Sequence, residues 1–168
     1  MSNDPFPVLI RRMTLDDVDQ VHAIETATFK TPWSKADFVH EMTKTPCARY
    51  LVAETQGEVV AFAGAHIILD EGHITNIAVS EPFRGLGIGR KVTQALLQYA
   101  SNLGAAYLTL EVREHNEKAQ ALYRSLGFIR VGIRKKYYED TGENAWIMVC
   151  AELPPAQEDF TEPETVTE

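Results

Sequence analysis

The segment Glu81–Val92, EPFRGLGIGRKV, constrains this chain more than any other. Gly85, Gly87 and Gly89 alternate with Leu86 and Ile88, Arg84 and Arg90 stand on either side, and a helical pattern starts at once. Glycine at that density costs backbone entropy, so the fold needs backbone here that something else can approach closely. A strand-like run, NIAVSEPF, leads into the segment. At a strand–glycine–helix junction several N–H groups point outward, and the helix dipole adds partial positive charge. The two arginines add full charges, so the implied guest is a phosphate or pyrophosphate.

Spacing excludes the two commonest phosphate loops. A Walker loop needs G-x-x-x-x-G-K-[ST], and no Lys-Ser or Lys-Thr follows these glycines. The dinucleotide fingerprint belongs in a parallel βαβ unit. Here the glycines follow ARYLVAETQGEVVAFAGAHIILDEGHITNIAVSE, which reads as three strands joined by turns at Gln56-Gly57 and at Asp70 to Gly72, an antiparallel meander. What remains is R-x-x-G-x-G, from Arg84 through Gly87 and Gly89.

The flanking segments complete an α+β layout. VLIRRM reads as a strand; Thr14 with Asp17 opens a helix reaching about Phe29, and Ser34 caps a second helix that carries Phe38 and Met42. After the glycines, Val92, Ala95, Leu96, Tyr99 and Leu103 fall at helical spacing and Gly104 stops the helix. AYLTLEV is a strand with Leu108, Leu110 and Val112 on one face and Tyr107, Thr109 and Glu111 on the other. Asn116 caps a last helix with Ala119, Leu122, Tyr123 and Leu126 inside, and two strands around EDTGEN finish the chain. The order is β-α-α-β-β-β-α-β-α-β-β, a mixed, mostly antiparallel sheet flanked by helices. It forms one domain over residues 1–153, with 154–168 read as an acidic, disordered tail.

Charge and composition narrow the classes. The net charge is −8, but six acids and no Lys or Arg lie from Glu152 onward, so the rest of the chain carries only about −2. No basic nucleic-acid footprint is present, and Arg134–Lys136 is a short basic cluster that a solvated face would explain. AFAGAHIIL is too short to span a bilayer and the N-terminus has no signal-peptide pattern, which implies a cytoplasmic protein with no membrane contact. Cys47 and Cys150 form no C-x-x-C pair, Cys150 reads as a small buried hydrophobe, and the five histidines have no metal-ligand spacing, so no metal is expected. Nothing in the sequence fixes an oligomeric state.

With these residues in hand, the chain resembles the GNAT (GCN5-related) N-acetyltransferases from about Val8 to Leu153. Beyond R-x-x-G-x-G, the segments PWS at Pro32–Ser34, NIAV, LEVRxxN, ALYxxLGF and YYxDxGEnAxIM are similar to the RimI-type enzymes. Those acetylate the N-terminal alanine of a small-subunit ribosomal protein, the eighteenth. The resemblance implies the GNAT fold, acetyl-CoA as co-substrate, an acceptor protein N-terminus, and direct attack in a ternary complex. It also implies that Ile77, Ala78 and Val79 bond the pantetheine arm through their backbone, and that Arg84, Gly85, Leu86, Gly87, Ile88, Gly89, Arg90 and Asn116 hold the rest of the donor. Phe29, Trp33, Tyr137 and Tyr138 are the matching acceptor wall.

Acetyl transfer to an amine needs a proton acceptor, because an α-amino group with a pKa of about 7.7–8.0 is largely protonated at neutral pH. It also needs a donor for the departing thiolate. By spacing, Glu111 is either a solvent-facing strand acid or a half-buried base whose pKa burial would raise. Tyr123 is either a core aromatic with a wet tip or a proton donor. The resemblance assigns Glu111 as base and Tyr123 as acid. An acceptor lysine or small amine would suit the same donor site, and a non-catalytic CoA-binding module would keep the loop without needing both Glu111 and Tyr123.

Overall fold

A computed structural model describes residues 7–157 of the chain. Its seven-stranded sheet has the order β1-β2-β3-β4-β5-β7-β6 and is antiparallel throughout except between β4 and β5. The strands are β1 (Leu9–Arg12), β2 (Ala48–Thr55), β3 (Glu58–Ile68), β4 (Glu71–Val79), β5 (Tyr107–Arg113), β6 (Ile129–Tyr138) and β7 (Glu143–Cys150). The helices are α1 (Val18–Thr28), α2 (Lys35–Lys44), α3 (Ile88–Asn102) and α4 (Glu117–Ser125). The α+β architecture and the element order match the sequence reading.

Alternation along β2 explains why helices cover both faces of the sheet. Leu51 and Ala53 join a core with Val92, Leu96 and Tyr99 of α3, while Tyr50 and Val52 join a second core with Val21 and Ile24 of α1 and Phe38 of α2. Phe38 is fully buried, with the rings of Trp33, Phe62 and Tyr50 at 5.4, 5.8 and 6.5 Å.

Short polar motifs set the helix starts. The Asp17 carboxylate accepts from the Thr14 N–H at 2.7 Å and from the Arg11 fork at 2.8 Å on each oxygen, tying the entry of α1 to β1. Ser34 and Asp37 exchange hydrogen bonds of 2.9 and 3.1 Å, a capping box that starts α2.

The connection expected at Asp70 to Gly72 lies earlier. The turn is Leu69-Asp70, with Leu69 at φ 56°, and Gly72 is already inside β4. A Cβ on Gly72 would sit 2.1 Å from Leu108 Cδ2, so this glycine serves close strand packing and not a turn.

β4 and β5 pair at only three positions, Glu71↔Tyr107, Gly72↔Leu108 and His73↔Thr109. Beyond them β4 carries an extra residue, Thr75, against β3, because Gly64 opposes Asn76 while Ala65 opposes Ile74. A bulge bends its strand. Here it falls where β4 leaves its parallel partner, and Ile77–Val79 present an edge that no ladder partner occupies among the described residues.

Of the expected tail, residues 158–168 lie outside the described residues. Pro155 O accepts from Gln98 Nε2 at 2.9 Å and Gln157 N donates to Asn102 Oδ1 at 2.8 Å, so 154–157 run along α3. Among the described residues no helix is long and apolar enough to cross a membrane.

Candidate active site at the seam between β4 and β5

The open seam is flanked by the glycine loop. Gly85 and Gly87 take φ values of 79° and 81°, and a Cβ at either would meet nothing within 4 Å. These glycines are therefore required by backbone conformation, and they leave the N-terminal end of α3 clear on its outer side. Leu86 is exposed beside them, whereas Ile88 turns into the core and anchors α3. The flanking arginines are already engaged. Arg84 donates to Val79 O at 2.9 Å and to Thr28 Oγ1 at 3.2 Å, bracing the loop against the end of β4 and against α1. Arg90 donates to Ser125 Oγ and links α3 to α4. Asn116 caps α4, its Oδ1 accepting from Ala119 N at 3.2 Å.

Glu111 stands on the face of β5 opposite the buried Leu108, Leu110 and Val112, as alternation predicts. Its side chain is 14% exposed and both oxygens are addressed: His73 Nε2 lies 2.6 Å from Oε2, and Arg134 Nε 3.5 Å from Oε1. These contacts correct the expected direction of its titration. The hydrogen bond from His73 outweighs desolvation and, with the nearby Arg134 charge, holds the Glu111 carboxyl below its ordinary value. An ionised carboxylate only accepts, so His73 Nε2 carries the hydrogen between them.

Tyr123 packs against Phe128, ring centroids 5.8 Å apart, and its hydroxyl has no hydrogen-bond partner among the described residues. Burial pushes its pKa up to about 12, so the phenol is a proton donor throughout the neutral range.

The proposed acceptor wall has two sides. The connection between α1 and α2 carries Phe29, which caps α1 and is partly exposed, and Trp33, which leans on Phe38. A buried acid holds this connection to β4: Asn76 Nδ2 donates to Glu25 Oε1 at 3.1 Å, and the same carboxyl accepts the Trp33 N–H. Burial raises the Glu25 pKa against those two hydrogen bonds. On the other side Tyr137 is exposed, while Tyr138 is half-buried with its ring 5.1 Å from Tyr137 and beneath Arg113 at 3.9 Å. Burial, the leading cause, pushes the Tyr138 pKa up to about 12 as well.

Sequence reasoning missed His73, Arg113 and the Glu25–Asn76 bridge, and it read Arg134 as solvated. Alternation along β4 does place His73 on one face, but its partner is 38 residues away across a parallel pair. No local spacing carries that contact.

Residues 18–128 match the Acetyltransferase (GNAT) family. The chain belongs to the GNAT acetyltransferase family. GNAT acetyltransferases use acetyl-CoA, and an open β4 edge followed by an unobstructed glycine turn fits a thioester arm ending in a pyrophosphate. A Bacillus subtilis relative is 41% identical over 139 residues, 83% of this chain and 92% of its own length. N-alpha-acetyltransferase RimI of Mycobacterium tuberculosis is 36% identical over 88% of this chain and 95% of that protein. The crystal structure of the ribosomal-protein-S18-alanine N-acetyltransferase from Escherichia coli superposes with a TM-score of 0.80 at 32% identity, covering 92% of this chain and 99% of that one. This chain is thus a GNAT domain of RimI type.

Proposed function

We propose that this protein transfers the acetyl group of acetyl-CoA to the α-amino group of a protein N-terminus, with the N-terminal alanine of ribosomal protein bS18 as acceptor. The observation that carries the chemistry is the ionised, half-buried Glu111 held by His73 beside the open edge of β4. The acceptor is supported by relatives such as the [ribosomal protein bS18]-alanine N-acetyltransferase of Escherichia coli, 37% identical over 83% of this chain and 94% of that protein. An acceptor of this kind places the reaction in the cytoplasm.

Acetyl-CoA supplies an activated acetyl thioester. The backbone of Ile77–Val79 offers hydrogen bonds to its arm, Gly85–Gly89 and the N-terminal end of α3 receive the pyrophosphate, and Arg84 and Arg90 brace that loop. Asn116 contributes its side-chain amide nitrogen to the donor while its Oδ1 caps α4. Phe29 and Trp33 are assigned to one wall of the acceptor path, and Tyr137 and Tyr138 to the other.

Glu111, ionised at neutral pH, takes the proton of the acceptor ammonium, directly or through a bridging water, while the His73 Nε2–H remains donated to the carboxylate. As the N–C bond forms and the C–S bond breaks, the Tyr123 hydroxyl supplies the proton for the departing thiolate. Direct attack fits Cys150, which is fully buried with its thiol pKa raised by that burial.

The test is an assay of the purified protein with acetyl-CoA and three acceptors: a peptide with the bS18 N-terminus, the same peptide with a blocked α-amino group and an internal lysine, and a polyamine. Mass spectrometry should locate the acetyl group on the α-nitrogen of the first peptide only. Preference for the lysine peptide or the polyamine contradicts the reading.

A further inference from the structure

Arg113 ends β5 on the same face as Glu111, and the chemistry above gives it no task. Its guanidinium forks onto Asp140, with Nη1–Oδ1 at 3.2 Å and Nη2–Oδ2 at 2.9 Å, and Nη1 also reaches Thr141 Oγ1 and Glu143 Oε1, each at 3.4 Å. The other Glu143 oxygen accepts the His115 N–H at 2.9 Å. One side chain thus ties together the end of β5, the β6–β7 turn and the connection into α4.

A surface ion pair contributes about 0–1 kcal/mol, and bracing a turn would need nothing more. Two further observations point to a second role. The Arg113 side chain is only 25% exposed, and its Cζ lies over the Tyr138 ring at 3.9 Å. The backbone before that ring is unusual: Lys136 takes φ 53°, a conformation a side-chain-bearing residue adopts at a cost, and Asn144 Oδ1 holds its N–H at 3.0 Å. Strain and stacking both bear on the orientation of one aromatic ring.

We infer that Arg113 is a positioning residue for the acceptor: it holds the Tyr138 ring in the orientation that admits an N-terminal segment to Glu111. The inference rests on the reading above that Tyr138 and the α1–α2 connection flank the acceptor path. Arg113 touches no reacting atom. Its planar, forked guanidinium is what the role requires, and lysine supplies the charge without the plane or the fork.

The experiment is steady-state kinetics of full-length wild type, Arg113→Lys, Arg113→Met, Tyr138→Leu and the Arg113→Lys/Tyr138→Leu double variant, using the bS18 N-terminal peptide and acetyl-CoA. Wild-type turnover of the peptide decides the functional reading before any variant is compared. The expected result is a peptide KM raised about tenfold in both Arg113 variants, the size of one lost oriented contact. The KM for acetyl-CoA and kcat should stay within about twofold, and Arg113→Lys should add nothing to Tyr138→Leu. If Arg113→Met does not fold, Arg113→Lys decides. An unchanged peptide KM in Arg113→Lys, an equal rise in both KM values, or effects that multiply with Tyr138→Leu would each overturn the inference.

Discussion

His73 Nε2 lies 2.6 Å from Glu111 Oε2, so the last β4 residue paired with β5 reaches forward to the β5 residue just past the pairing. The contact crosses the mouth of the seam, so the proposed base is set by the same geometry that opens the donor cleft. It also reverses the titration that burial alone would give Glu111.

His73→Ala removes the leading cause of the depressed Glu111 pKa and leaves the desolvation that opposes it. The Glu111 carboxyl should then titrate at higher pH than in wild type. Carbon-13 NMR of glutamate-labelled protein reads this directly. A midpoint in His73→Ala at or below the wild-type value would show that the hydrogen bond does not control the carboxylate.

Gly87→Ala isolates the loop. The φ of 81° costs an alanine about 1–2 kcal/mol of backbone strain, and no neighbouring atom adds to it. A modest fall in Tm should accompany CoA binding weakened about tenfold by calorimetry, roughly 1.4 kcal/mol. Equal affinity in the two proteins would place the pyrophosphate elsewhere.

Asp17 gives stability an acid limit. Its burial raises the pKa, but hydrogen bonds from Arg11 and Thr14 outweigh that and leave it lowered. A carboxylate with a depressed folded-state pKa stabilises above its unfolded value of about 3.9. That stability is lost as pH falls through the folded value. Asp17→Asn should cost about 2 kcal/mol at pH 7, the range for hydrogen bonds to a charged group, and the gap to wild type should shrink as pH falls below about 4. Urea melts at pH 7 and pH 3 check this, and a gap independent of pH would contradict it.

The legible parts of this protein were those written in local spacing. The glycine loop, both N-terminal caps, the alternation of β5 and the stop at Gly104 each follow from residues a few positions apart, and each is found where expected. The illegible parts depend on residues brought together by the parallel pairing or by packing. Gly72 looks like a turn residue until Leu108 is seen occupying its Cβ position. Glu111 looks like a base with a raised pKa until His73 and Arg134 arrive from two other strands. Arg113 reads as part of a motif, but its stacking on Tyr138 joins β5 to β6, a strand it does not pair with.

The central claim is that Glu111 and Tyr123 move the protons of the transfer while other residues hold the donor. The most direct measurement is kcat for Glu111→Gln and Tyr123→Phe on the bS18 N-terminal peptide, with acetyl-CoA affinity measured on the same samples. The account predicts kcat reduced by about 10²–10⁴-fold in each, the usual share of general acid–base catalysis, with acetyl-CoA affinity within about twofold of wild type. Wild-type turnover in both variants would contradict it.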